Sequence, residues 1–416
     1  MNPLIATVTA APIRIGYFAG IYPRATDTFI QREIHGLRAR GFDVRTFSVR
    51  RSGTDHDVSD DIRAEKRNTF FLLPVNPLRL LAANVRQLLG APLRYLGALR
   101  LAWTTSRDGV RGRLYQLFYF QEAVMLAVEL RRQRIAHLHN HLGDASGTVT
   151  LLACRMADIS YSVTFHGPHI FFDPLHWALR EKVRHAQFTV CISHYCRSQM
   201  MLFTDQSDWS RFAIVHCGID PARYAYATPR DTARKLLYTG RLAAEKGLPV
   251  LFESLGRLKA RGYDVELTLV GDGPDRGALE VLAQQLGIKE RVVFAGFCGQ
   301  DEVLARLHES DMLLLPSFAE GVPVSLMEAM ACGLPVIASY VGGVVELVEH
   351  MRTGLMVHAG DVNSLEAAIA QYLDDTQLRR RVSQQGREKV AAEFNINAEV
   401  DKLAALFRQH AGAGCR

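Results

Sequence analysis

The chain has 416 residues, 48% of them hydrophobic and 22% charged, with 32 glycines and 15 prolines. That composition excludes a disordered, collagenous or low-complexity chain, and the length predicts roughly two or three domains. The net charge of +6, from 49 Lys and Arg against 43 Asp and Glu, permits an anionic partner but argues for nucleic acid or membrane only where it clusters.

Taken in chain order, short apolar runs alternate with helical patterns. Ile13–Phe18 predicts a strand and Thr28–Arg40 a helix closed by Gly41. Val44–Val49 is a second strand. Ala136–His139 and Ser162–Phe165 flank a helix over Asp144–Met156, and strand Phe188–Ile192 leads into a helix from His194. The rhythm restarts at Lys235, with strands at Leu236–Thr239, Val265–Val270, Val292–Ala295, Met312–Pro316 and Pro335–Ala338. Helices over Leu248–Arg261, Asp275–Gln285, Glu302–Glu309, Ser325–Cys332 and Ser364–Tyr372 separate or follow them. This is the βαβ pattern of parallel sheets covered by helices on both faces. Residues 218–234 are polar and unperiodic and read as a linker. The expectation is an α/β chain of two Rossmann-like domains, 1–220 and 221–394, facing a central cleft. A final helix within 395–416 has no strand to return to and is expected to pack back on the first domain.

Seven cysteines without Cys-x-x-Cys spacing, Cys415 the last of them, argue against a disulfide framework or structural zinc and fit a reducing cytoplasm. Residues 1–12 lack the basic region and apolar core of a signal peptide. The longest charge-free stretch, Ala329–Val345, is interrupted by Gly333, Pro335, Gly342 and Gly343, so no membrane-spanning helix is expected.

In doubly wound sheets ligands bind beyond the carboxyl ends of the strands, so the residues that follow each strand are the candidates for chemistry. Leu313–Ser339 places Glu320, Gly321, Val322 and Pro323 between a strand and a short helix. The Val324 and Ser325 N–H groups at that helix start suit a phosphate. Glu320 and Glu328 stand eight apart, and a carboxylate accepts two hydroxyl protons at once, which suits a ribose diol or a sugar. Arg241 and Lys246 flank a tight loop and suit a diphosphate leaving group. His166 follows a strand directly, with Gly167 beside it, where it can hydrogen-bond a substrate hydroxyl. His137, His139 and His141 alternate along one strand, a pattern only suggestive of metal ligands, and no metal is expected. Gly271 and Gly273 lack the third glycine of a dinucleotide fingerprint, which counts against an oxidoreductase. Phe297 follows a strand and is placed to meet a flat ring or to plug the core.

In order and spacing, GRLAAEKG, LVGDGP, VVFAGF and EGVPVSLMEAMACGLPVIAS resemble glycosyltransferase family 4, the GT-B family of retaining sugar-nucleotide transferases, over most of the second half. FAGIYPRATDTFIQREIHGL, HLHNHLGD and TFHGPHIF look like its exopolysaccharide branch, with its colanic-acid-type and amylovoran-type transferases. The resemblance implies that 1–220 binds the acceptor and 221–394 the donor. It implies that Arg241 and Lys246 bind the donor diphosphate, Glu328 the ribose and Glu320 the sugar hydroxyls. The Gly321–Ser325 loop would contact sugar and phosphate, the backbone around Phe297 the base, and His166 the donor sugar near the reacting face. Many members carry a Gly-Gly corner after the first strand; here Ala19, Gly20, Ile21, Tyr22 and Pro23 hold one glycine, and Gly20 alone stands for it. Such enzymes generally need no metal or other cofactor. The implied activity is hexosyl transfer from a UDP- or GDP-linked sugar to a saccharide acceptor carried on polyprenyl diphosphate, in bacterial surface polysaccharide synthesis. The rival reading is a non-catalytic GT-B scaffold that binds a sugar nucleotide or a partner enzyme.

From Lys66 to Arg107 there is no Asp or Glu, and Arg79, Arg86, Arg94, Arg100 and Arg107 recur every six to eight residues. Pro77 and Pro92 predict several shorter helices rather than one. Residues 66–113 thus form either a basic amphipathic surface for anionic lipid or a packed apolar face with solvated arginines. With a lipid-linked acceptor the expected location is cytoplasmic, peripheral on the inner face of the membrane, with no nucleic acid involved.

Overall fold

The computed structural model describes residues 12–411. Residues 1–11, Cys415 and the last residues of segment 395–416 lie outside that range. The first half carries strands β1 (Arg14–Ile21), β2 (Asp43–Arg50), β3 (Phe70–Phe71), β4 (His137–His141), β5 (Ser160–Phe165), β6 (Phe188–Cys191) and β7 (Phe212–Ile214). Its helices are α1 (Thr28–Ala39), α2 (Asp60–Asn68), α3 (Pro77–Gly90), α4 (Pro92–Thr104), α5 (Val110–Arg132), α6 (Ala145–Ala157), α7 (Leu179–His185) and α8 (His194–Phe203). The second half carries β8 (Lys235–Thr239), β9 (Glu266–Val270), β10 (Val292–Gly296), β11 (Met312–Leu315), β12 (Val336–Ser339) and β13 (Leu355–Val357). With them come α9 (Leu248–Ala260), α10 (Arg276–Gln285), α11 (Gln300–Glu309), α12 (Val324–Cys332), α13 (Val344–Leu347), α14 (Val362–Asp374), α15 (Thr376–Glu393) and α16 (Ile396–Ala411).

The strands form two sheets, ordered β3-β2-β1-β4-β5-β6-β7 and β10-β9-β8-β11-β12-β13. Every pairing within them is parallel. The strand order reverses between β1 and β4 in one sheet and between β8 and β11 in the other. Loops at those reversals diverge and leave a crevice. The central strands are buried on both faces, as Met312–Leu315 and Val336–Ser339 show, because helices cover both sides. This is the expected α/β, GT-B arrangement of two Rossmann-like halves.

Local chemistry sets the element ends. Pro77 and Pro92 open α3 and α4 at first-turn positions, where no N–H is needed. The Asn76 side chain accepts from the Leu78 N–H at 2.9 Å. Gly333, in the left-handed region at φ 82°, closes α12. β1 runs through to Ile21, so Gly20 sits inside the strand and not in the loop after it.

α16 lies on the first half: Ile396, Val400, Leu403, Ala404 and Phe407 share one buried cluster with Ile15, Tyr17, Ile34, Leu37 and Phe188. The two halves are joined twice at one place. Ile219 pairs with Asn395, with Ile219 N–H donating to Phe394 O at 3.0 Å and Ile396 N–H to Ile219 O at 2.9 Å.

The inward faces of α3 and α4 are small: Ala83, Ala98 and Ala102 are buried beside Gln87. Leu101 and Tyr95 of α4 pack against the core, while Leu78, Leu81, Leu89, Leu93 and Leu96 point outward, so 66–113 packs through one face and leaves a second apolar face exposed.

Candidate active site

A cavity of about 710 Å³ lies between the carboxyl ends of the two sheets, within the range of small-molecule sites. The first half lines it with Arg24–Phe29, His166–His169 and Cys217; the second with Thr239–Arg241, Lys246, Phe297, Glu320–Ser325 and Glu328. All the predicted site residues meet here except Gly20. The residues after β1 that do reach the cavity are Arg24 to Phe29, at the start of α1.

Arg241 is exposed in the wall, and its guanidinium has no ion-pair partner among the described residues. Lys246 differs. Its Nζ donates to Glu320 Oε1 at 2.6 Å, and Ser317 Oγ donates to the same oxygen at 2.7 Å. Glu320 is 8% exposed. A carboxylate that deep is held by its donors, and its second oxygen has no partner among the described residues. The N-terminus of α12 faces the cavity through Val324 and Ser325, adding backbone N–H groups and the positive end of the helix dipole.

Glu328 is engaged from across the cleft. Arg32 of α1 donates Nη2 to its Oε1 at 2.6 Å, and Tyr224 OH donates to the same atom at 3.0 Å. Burial, then the Glu328 charge, raise the Tyr224 phenol above its ordinary range, which keeps it a donor. The halves also touch at Gly321, where a Cβ would stand 2.2 Å from His166 O; only a bare Cα fits. Phe297 is half-buried at the cleft, its ring 5.3 Å from that of His56, and it does not plug the core.

His166 does not offer its ring freely. Its Nε2 lies 2.8 Å from His141 Nδ1 and its Nδ1 3.5 Å from Cys217 Sγ. Burial, then His141 and His169, push it well below the usual imidazole range. His137 and His139 form a ladder with the next strand. His137 bonds Ser160 and Ser162 at 2.8 and 2.7 Å, and His139 bonds Ser162 and Thr164 at 2.7 and 2.9 Å. The metal-ligating atoms of Glu33, His139 and His141 lie within 4.8 Å of one another. Every ring nitrogen among them already has a hydrogen-bond partner.

The sequence reading missed Arg32, Glu33 and Tyr224. Arg32 and Glu33 lie in the helix predicted over Thr28–Arg40 with nothing to single them out, and Tyr224 lies within the predicted linker 218–234.

Two family models match the chain. Glycosyltransferase Family 4 matches residues 98–223, and Glycosyl transferases group 1 matches residues 227–389. This chain belongs to glycosyltransferase family 4. The enzyme is 28% identical over 305 residues to the alpha-D-kanosaminyltransferase of Streptomyces kanamyceticus, covering 67% of this chain and 79% of that protein. It is 26% identical over 436 residues to WcaL of Escherichia coli strain K12, a glycosyltransferase named for colanic acid biosynthesis, covering 95% and 100%. The sucrose-phosphate synthase of Thermosynechococcus elongatus shares the fold at a TM-score of 0.74, with 21% identity, over 96% of this chain and 99% of that one. The family 4 enzyme therefore transfers sugar.

Proposed function

We propose that this exopolysaccharide glycosyltransferase moves a hexosyl group, with retention, from a UDP- or GDP-linked sugar to a saccharide acceptor carried on polyprenyl diphosphate. The observation that carries this reading is the polarity of one cleft wall: the unpaired Arg241, the Lys246–Glu320 pair and the α12 N-terminus converge on it. As the anomeric C–O bond breaks, the diphosphate leaves with the electron pair. Arg241, Lys246 and the helix start offset that charge, doing without a metal. The acceptor hydroxyl attacks from the same face and passes its proton to a departing diphosphate oxygen. Glu320, tied through one oxygen, holds sugar hydroxyls with the other; Glu328 does the same for the ribose. The backbone at Phe297 meets the base, and the Gly321–Ser325 loop meets sugar and phosphate. The donor belongs to 221–394 and the acceptor to 1–220.

The acceptor's lipid is supported by the face of α3 to α5. Leu78, Leu89, Leu93 and Val110 are 76, 77, 85 and 77% exposed, far above what a solvated helix keeps apolar without a partner surface. Of the five arginines, Arg94 pairs with Asp158 and Arg107 with Asp173; Arg79, Arg86 and Arg100 have no ion-pair partner among the described residues. The Arg107–Asp173 bond, at 3.0 Å, ties this face to the loop whose Phe172 lines the cleft. Among the described residues no helix is long and apolar enough to cross a membrane; a peripheral seat on the cytoplasmic face is the location that suits the outward leucines and a lipid-linked acceptor.

The test is a thermal-shift screen of UDP- and GDP-sugars at millimolar concentration. A ligand that binds only the folded state raises its melting temperature. One nucleotide class should give a rise of several degrees. No shift with either class overturns the donor assignment.

A further inference from the structure

Behind the cleft wall a chain of polar groups runs inward from His166. His166 Nε2 meets His141 Nδ1 at 2.8 Å, and His141 Nε2 meets Glu33 Oε1 at 3.0 Å. Tyr17 OH donates to the same carboxylate oxygen at 2.6 Å. Glu33, Tyr17 and His141 come from α1, β1 and β4, and His166 follows β5, so four neighbouring elements build the chain. His141 is 1% exposed.

The chain has a direction. An ionised carboxylate only accepts, and a neutral imidazole has one donor nitrogen and one acceptor nitrogen. Glu33 therefore requires His141 to present Nε2–H. That leaves His141 Nδ1 as acceptor and requires His166 to present Nε2–H to it. His166 Nδ1 is then a lone pair, met among the described residues only by the Cys217 thiol at 3.5 Å, a weak donor that itself lines the cavity. On the donor side, the His166 carbonyl abuts Gly321, next to Glu320 and the α12 start.

We propose that Glu33 and His141 are positioning residues that lock His166 as the Nε2–H tautomer, so that its Nδ1 accepts a hydrogen bond from a hydroxyl of the sugar being transferred. The recognition of a sugar rests on the glycosyl-transfer reading; the tautomer does not. The Cys217 thiol yields its place when the hydroxyl arrives. A protonated His141, which would donate from both nitrogens, gives the opposite polarity and a His166 that can only donate. A side chain that fixes a neighbouring imidazole's tautomer is worth large factors in rate where that imidazole contacts the reacting ligand.

The experiment is a long-range 1H–15N correlation spectrum of [15N]histidine-labelled enzyme at pH 7.5, assigned with His166→Gln and His141→Gln. Wild type should show both rings as Nε2–H tautomers; an Nδ1–H His166 overturns the proposal. This reading needs neither substrate nor a mutated relay. Adding whichever of UDP-glucose or GDP-mannose raises the melting temperature should move the His166 Nδ1 shift upfield, and an unmoved shift on saturation overturns the hydroxyl contact. In Glu33→Gln the His166 tautomer should become mixed, with kcat about 10- to 100-fold lower and KM for the nucleotide sugar within about threefold. Wild-type tautomer and rate in that variant overturn the role of Glu33. A correct tautomer in an enzyme that binds no nucleotide sugar would instead count against the donor assignment alone.

Discussion

Arg32 on α1 and Glu328 on α12 meet across the cleft at 2.6 Å, both mostly buried, although 296 residues separate them in the chain. The Glu328 carboxylate is thus oriented by a guanidinium from the opposite half, with Tyr224 as a second hydrogen-bond donor. Removing one partner of a buried pair strands the other. Arg32→Gln should lower stability by about 1–3 kcal/mol. Glu328→Gln in the same background should recover part of it. A double-mutant cycle by urea denaturation gives the coupling, and strict additivity would show that the contact carries no energy.

Arg241 offers the opposite case, an exposed cation with no ion-pair partner among the described residues. Arg241→Ala should change stability by no more than about 0.5 kcal/mol. If it offsets leaving-group charge, transfer should fall about 10²- to 10³-fold. Initial rates beside melting curves test both, and near-wild-type turnover in the folded variant refutes the role.

The outward leucines of α3 and α4 predict lipid binding. Each one immersed is worth about 1.5–3 kcal/mol. Leu89→Ser with Leu93→Ser should reduce flotation with anionic liposomes at least tenfold, and leave the melting temperature unchanged because neither packs in the interior. Equal recovery of wild type with neutral and anionic vesicles at low salt would remove the arginine contribution.

Acid should unfold the first sheet early. His137 is wholly buried, and burial, followed by His410, pushes it down to about 3; His139 and His166 are lowered by burial as well. An unfolded imidazole takes its proton near pH 6.5. The folded state's advantage is therefore complete above pH 6.5 and lost as pH falls toward 3. At pH 5 the His137 imidazole should have withdrawn about 2 kcal/mol, and His139 and His166 act in the same direction. Urea midpoints should decline from pH 7 to pH 5, and a flat profile contradicts the account.

The alternating core was legible because β8, β9, β11 and β12 are aliphatic runs between glycine and proline stops. α15 was not. TQLRRRVSQQGREKVAAE shows no apolar stripe, and its Arg379 is entirely buried, its guanidinium satisfied by the carbonyls of Arg230, Asp231, Tyr372 and Leu373. In a sequence, such an arginine reads as solvated. β3, β7 and β13 span two or three residues, too short for a period to emerge. At the site, Arg241, Lys246, Glu320 and Glu328 stood out because their loops carry their own glycine and proline punctuation. Arg32, Glu33 and Tyr224 did not, because their meaning lies in partners 296, 108 and 104 residues away. Gly20 falls outside the cleft because β1 runs to Ile21, three residues past the end of the apolar run at Phe18.

The paired crossing at Ile219 and Asn395 has a mechanical consequence. Two covalent passages lashed side by side by backbone hydrogen bonds resist shear but yield to rotation about the line between them. A nick in the chain just before Asn395 would therefore leave a single covalent passage between the halves, with α16 kept in place only by that backbone pairing and by its apolar face on the first sheet.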